Sequence, residues 1–177
     1  MSGISWVSLS YRLPREPSRP RLAVWRRLKR LGATLLHDAV WLLPSDAKTR
    51  EAFEWLAEEI EEQGGTAFVW EATSLGAEQD QTIVAQFRAA ADERYAAIAE
   101  SAEGLRRVGP KLRVARGGRP DHARRQLAGL ERALRLESRR DHFRAPGRRE
   151  AEEALRTAAR ELPEPSPERG RADAVGH

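Results

Sequence analysis

The sequence predicts an α+β fold: a β-α-β-β-α-β sheet domain over residues 1–75, a helical extension over residues 76–162, and a polar, Pro-rich, disordered tail over residues 163–177. Three observations predict it. Apolar residues recur at every second position in short stretches and at every third or fourth in the stretches between them. All five Trp lie between Trp6 and Trp70, and three of the four Phe precede residue 90, so the large core-forming side chains belong to the first half. From Glu78 onward the periodicity is helical alone.

Ile4 to Leu13 reads as the first strand, with Val7, Leu9 and Tyr11 alternating against Trp6, Ser8 and Ser10. Pro14, Pro17 and Pro20 end it in a stiff loop. Ser18 and Pro20 suit the start of a helix that runs to Leu31 and stops at Gly32. Leu22, Trp25, Leu28 and Leu31 share its apolar side, and Arg26, Arg27, Lys29 and Arg30 its outer side. Ala33 to Leu36 and Ala39 to Leu43 read as two strands joined at His37-Asp38. Ser45 or Asp46 caps a second helix to about Gln63, with Phe53, Leu56 and Ile60 inward and a row of Glu outward. Gly64-Gly65 stops it before a fourth strand, Thr66 to Ala72.

This order is the split βαβ, or ferredoxin-like, arrangement. Strict alternation puts Val7, Leu9, Val40, Leu42, Ala67 and Val69 toward the helices, and Trp6, Trp41, Phe68 and Trp70 on the other face. Soluble monomers rarely leave such a patch bare, so the helical extension or a second subunit is expected to cover it. The extension reads as a helix from Glu78 to about Glu103 and a basic connector from Gly109 to Gly118. A helix over Pro120–Arg140, a turn at 145–147 and a last helix from Arg148 to Leu162 follow.

The net charge of +4 is strongly segregated. Residues 1–44 carry eight basic and two acidic side chains, residues 45–103 four and fourteen, residues 104–149 fifteen and four, and residues 150–177 four and seven. Such blocks suit a polyanionic partner, or complement one another within the chain or across a dimer. The absence of Cys excludes a disulfide scaffold and a thiolate metal site. No apolar run approaches the length of a membrane span, and the first residues lack the pattern of a signal peptide, so a cytoplasmic protein with no membrane partner is expected.

The stretches WVSLSYRLPREPSRPRLAVWRRLKRLGA, LLHDAVWLLP and EWLAEEIEEQGGTAFVWEA, and the later RDHFRAPGRREAEEAL, together resemble the N-terminal domain of the chromate resistance protein B (ChrB) family. In that family a turn of the form Asp-Phe-Phe-x-Ala-Pro-Gly precedes the last helix; His142 stands here in place of an aromatic. The resemblance covers roughly residues 4–160. It implies a non-enzymatic regulatory module of chromate resistance, since full-length members repress a chromate-efflux operon, respond to chromate and carry a further C-terminal domain. Implied partners are DNA, a second copy in a homodimer and a separately encoded C-terminal-type domain. The alternative is a protein-interaction subunit with no nucleic-acid role. A more distant likeness is to the sheet module of phenylacetate-type repressors and of a small nuclease of CRISPR spacer acquisition. Those nucleases end the first strand on an acidic metal ligand, and Arg12 at that place repels a cation.

Two basic sets are the candidate anion or nucleic-acid contacts. The first is Arg12, Arg15, Arg19 and Arg21 around the Pro-rich loop, with Arg26, Arg27 and Arg30 on the helix. The second is Arg125, Arg132 and Arg139, spaced by seven residues. Their bland reading is a solvated face pairing with acidic helices. An oxyanion such as chromate, held by Arg12 or Arg15 near the start of the first helix, is the ligand expected; no other cofactor is. His37-Asp38 lacks a nucleophile and reads as structural, and the four His show no metal-ligand spacing. No catalytic or metal-binding residue is assigned.

Overall fold

The computed structural model describes residues 3–114 and 120–162. The order is β1 (Ser5–Arg12), α1 (Arg19–Leu31), β2 (Thr34–His37), β3 (Val40–Pro44), α2 (Ala47–Glu62), β4 (Thr66–Thr73), α3 (Ala77–Val114), α4 (Pro120–Arg140) and α5 (Gly147–Glu161). Among the described residues the fold is α+β, with a four-stranded antiparallel sheet in the order β2-β3-β1-β4. The tail expected over residues 163–177 and the end of the expected connector, residues 115–119, lie outside the described residues. The start of that connector is helical: α3 runs through Gly109 and Pro110 to Val114. Glycine and proline lower helix stability without forbidding it, and the long helix on their N-terminal side supplies the nucleus.

The chain forms two compact units. Over the described residues, one comprises residues 3–92 with Ser138–Ala145, and the other Glu93–Glu137 with residues 146–162. In the first, α1 ends at Gly32 in the left-handed conformation (φ 75°), whose N–H reaches the carbonyls of Leu28 and Lys29. Asp46 and Thr49 start α2 with a reciprocal capping box. Val24, Leu28, Phe53, Leu56 and Ile60 are fully buried against Val7, Leu9 and Leu43 of the sheet.

The register corrects the expected faces. Leu9 stands opposite Trp41 and Val69, and Ser8 opposite Leu42 and Trp70. Trp41 therefore lies on the helix-covered face, buried, with the Lys29 ammonium of α1 5.6 Å from its ring centre. Val40 and Leu42 turn to the other face. Alternation within a strand fixes which residues share a side; only register fixes the phase between strands, and β3 was placed one residue out. On the second face Trp6 stacks on Phe87 of α3 (centroids 5.8 Å, interplanar 16°) and meets Phe143 at 5.8 Å. That aromatic cluster closes the Trp6 end of the face, while Phe68 and Trp70 remain 60% and 61% exposed.

The segment 138–145 is tied to the back of α1. The Arg140 guanidinium donates to the Lys29 carbonyl at 3.1 Å, and His142 Nε2 to the Leu31 carbonyl at 2.9 Å, satisfying two carbonyls of the helix C-terminus. The His142 ring also meets Phe87 edge-on at 6.1 Å, so it keeps the contact an aromatic would make. Asp141 accepts from the Ala145 N–H, closing the turn before α5. The second unit is helical, with Tyr95, Ile98, Ala102, Leu127, Ala151, Leu155 and Ala158 buried.

Candidate anion-binding cleft

Antiparallel pairing of β1 with β4 puts Arg12 opposite Thr66. The end of the first strand therefore lies beside the glycine turn that opens the fourth. The Pro-rich loop leaves this corner and returns at the first turn of α1. Arg12, Leu13, Pro14, Arg15, Arg21, Gly64, Gly65 and Thr66 line a cleft of about 520 Å³ there. Three guanidinium-bearing side chains thus come from a strand end, a loop and a helix start. Arg21 Nη2 donates to the Arg15 carbonyl at 2.8 Å, which braces the loop from within the cleft.

The backbone makes the cleft possible. Gly64 takes a left-handed conformation (φ 76°). A side chain at Gly65 would stand 2.6 Å from the Arg12 carbonyl oxygen and 2.8 Å from Ile60 Cγ2, so only glycine lets β4 start this close to β1. Among the described residues, Arg12, Arg15 and Arg21 make no ion pair with a carboxylate. The helix start beside them carries no acidic residue in its first turn, and the Ser18 hydroxyl does not cap it. The cleft thus carries positive charge that no ion pair among the described residues offsets.

The other sequence candidates go elsewhere. Arg19, Arg26 and Arg30 are exposed on α1. Arg27 pairs with Glu59 of α2 at 2.9 Å. Arg125, Arg132 and Arg139 are exposed along α4. The β2–β3 hairpin turns at Asp38-Ala39, one residue later than expected: His37 is the last residue of β2, Asp38 is left-handed (φ 51°), and both His37 and Asp38 are exposed. Among the described residues no group of three His, Asp or Glu is placed to hold a metal ion. Sequence reasoning treated Gly64 and Gly65 only as turn residues and gave Thr66 no role. The antiparallel β1–β4 pairing was the signal that brings them to Arg12.

A second, more apolar cleft of about 580 Å³ is lined by Trp6, Leu36, His37, Leu42, Ala72 and Ile83 with polar neighbours including Glu78 and Gln79. No described helix is long and apolar enough to cross a membrane.

The family model described as "Protein ChrB, N-terminal" matches residues 21–168. Protein ChrB of Cupriavidus metallidurans (strain ATCC 43123 / DSM 2839 / NBRC 102507 / CH34) is 34% identical over 88 residues, which is 50% of this chain and 26% of that protein. The matched region is thus about a quarter of that relative's length. No solved structure matches.

Proposed function

Because this chain belongs to the ChrB N-terminal family, we propose that it serves chromate resistance as a non-enzymatic regulatory module whose Arg12–Arg15–Arg21 cleft takes a tetrahedral oxyanion. One observation supports the reading: three arginines from separate elements line one cleft, with no carboxylate partner among the described residues. Chromate is a tetrahedral dianion, and planar guanidinium forks present paired N–H donors that suit its oxygens. A DNA phosphate offers the same chemistry. Control is transcriptional: the cleft reports chromate, the exposed Arg stripe of α4 contacts the phosphate backbone, and the chain acts alone or with a separate C-terminal-type domain. The sheet is read as ferredoxin-like on the element order β1-α1-β2-β3-α2-β4 and on the strand order β2-β3-β1-β4.

Calorimetric titration with chromate, sulfate and phosphate, beside binding of an operator fragment, tests this. Hydrogen bonds to charged groups contribute about 1.5–3 kcal/mol each, so Arg12→Ala and Arg15→Ala should each weaken chromate binding about tenfold or more. Chromate affinity unchanged in both variants would remove the cleft as the site. Loss of operator binding in the same variants, with no chromate isotherm in the wild type, would reassign the cleft to backbone phosphate.

A further inference from the structure

The outer surfaces of α1 and α2 are opposite in charge and share exposed apolar residues. All six charged residues of α1 are basic. Val24 and Leu28 point inward, and at the helical period of about 3.6 residues Arg19, Leu22, Arg26 and Arg30 point outward, with Trp25 at the flank. Helix α2 points Phe53, Leu56 and Ile60 inward, which turns Glu51, Glu54, Trp55, Glu58 and Glu62 outward. None of these outer charges makes an ion pair among the described residues; only Arg27–Glu59 joins the two helices within the chain. Leu22, Trp25 and Trp55 are 46%, 47% and 56% exposed. Exposed aromatic and aliphatic side chains ringed by charges are the make-up of an interface core and rim.

We propose that this helix layer is a self-association surface, on which α1 of one copy lies against α2 of a second copy of this chain and the reverse. The occupant follows from charge. The acidic row on α2 repels nucleic acid and acidic membranes, so a polyanion satisfies only half of the layer. A second copy satisfies both halves, because a two-fold relation brings every basic helix to an acidic one. Trp55 and Leu22 with Trp25 then meet across the interface as the apolar centre.

The test uses the full chain. Arg26→Glu/Arg30→Glu makes the outer α1 surface acidic, and Glu54→Arg/Glu58→Arg makes the outer α2 surface basic. All four positions are exposed, and circular dichroism verifies that both variants fold. Sedimentation equilibrium should give a wild-type dimer that weakens with salt. Each variant alone places like charges across the interface and should associate roughly a hundredfold more weakly. An equimolar mixture of the two should dimerise again, because each acidic α1 now faces a basic α2. A monomeric wild type would overturn the proposal, as would variants that dimerise unaided or a mixture that stays monomeric. Dimers persisting in both variants but lost in Phe68→Ser/Trp70→Ser would move the interface to the open sheet face. A monomeric wild type that loses DNA affinity on Arg26→Glu/Arg30→Glu would make the basic helix a phosphate contact instead.

Discussion

Asp80 joins the first strand to the start of α3. Its carboxylate accepts the Trp6 indole N–H at 2.8 Å and the Ile4 backbone N–H at 3.0 Å, and the residue is only 8% exposed. The nearby Ser74 hydroxyl, and the Trp6 indole N–H and Ile4 N–H that bond it directly, hold its carboxyl below the ordinary aspartate value. A depressed folded value means that the unfolded chain binds the proton more tightly. The stabilisation is therefore full above the unfolded value, near pH 4, and is lost as pH falls through the folded value. Asp80→Asn removes the charge and should lower the urea midpoint at pH 7, and the gap to wild type should close as the solution is taken from pH 4 to more acid values. Urea melts at pH 7, 4 and 3 check this, and a gap that stays constant would assign Asp80 no charge-dependent role. Nothing in the sequence singled out Asp80: it stands in an acidic helix start, where a solvated carboxylate is the ordinary expectation. His142 stood out only as a departure from an aromatic; its partner, a carbonyl 111 residues away in the chain, was not legible.

At the scale of elements, α4 carries a buried charge. Arg94 Nε donates to Glu137 Oε1 at 2.7 Å, and the Glu137 side chain is 1% exposed, so the carboxylate depends on its partners for the solvation it has lost. Arg94→Met should destabilise the chain by about 3 kcal/mol, and Arg94→Met/Glu137→Leu should regain most of that loss, because removing both charges leaves no desolvated carboxylate. Chemical denaturation of the single and double variants measures both; a double variant as unstable as the single would show that packing, not charge, sets the cost. The bounds of α4 were legible, since proline opens the helix and the Leu127, Leu130, Leu134 stripe has one period. Glu137 continues that stripe three residues on, but nothing in the pattern marks it as buried, because pattern alone does not show a partner arriving from another helix. The ends of α1 and α2 were legible for the same local reason: Gly32, Asp46 and Thr49 act on their own helix. The face of β3 was not, because its phase is set by pairing with β1. The cleft stood between these cases. Arg12 and Arg15 were named from charge beside a helix start, but its glycine wall depends on β4 lying next to β1.

Across the whole chain, basic and acidic side chains are sorted by segment rather than mixed, and the two basic sets are predicted to do different work. The cleft set, Arg12, Arg15 and Arg21, is concave and belongs with the sheet. The α4 set, Arg125, Arg132 and Arg139, is exposed on one helix at seven-residue intervals, about 10 Å apart at 1.5 Å per residue. A row of that kind contacts phosphates without reading bases, so its loss should weaken DNA binding about equally on operator and unrelated sequence. Each neutralised phosphate contributes about 0.9 to the slope of log affinity against log salt. Changing all three to Gln should therefore reduce that slope by about 2.7 if every one touches a phosphate, while chromate titration stays as in the wild type. Arg12→Ala should do the reverse, weakening chromate binding and leaving the slope nearly unchanged. Fluorescence anisotropy on a labelled fragment between 50 and 200 mM salt, a range where such contacts change affinity by orders of magnitude, gives the slopes directly. Equal slopes for wild type and the triple variant would leave α4 a solvated helix face and place any phosphate contact of this chain elsewhere.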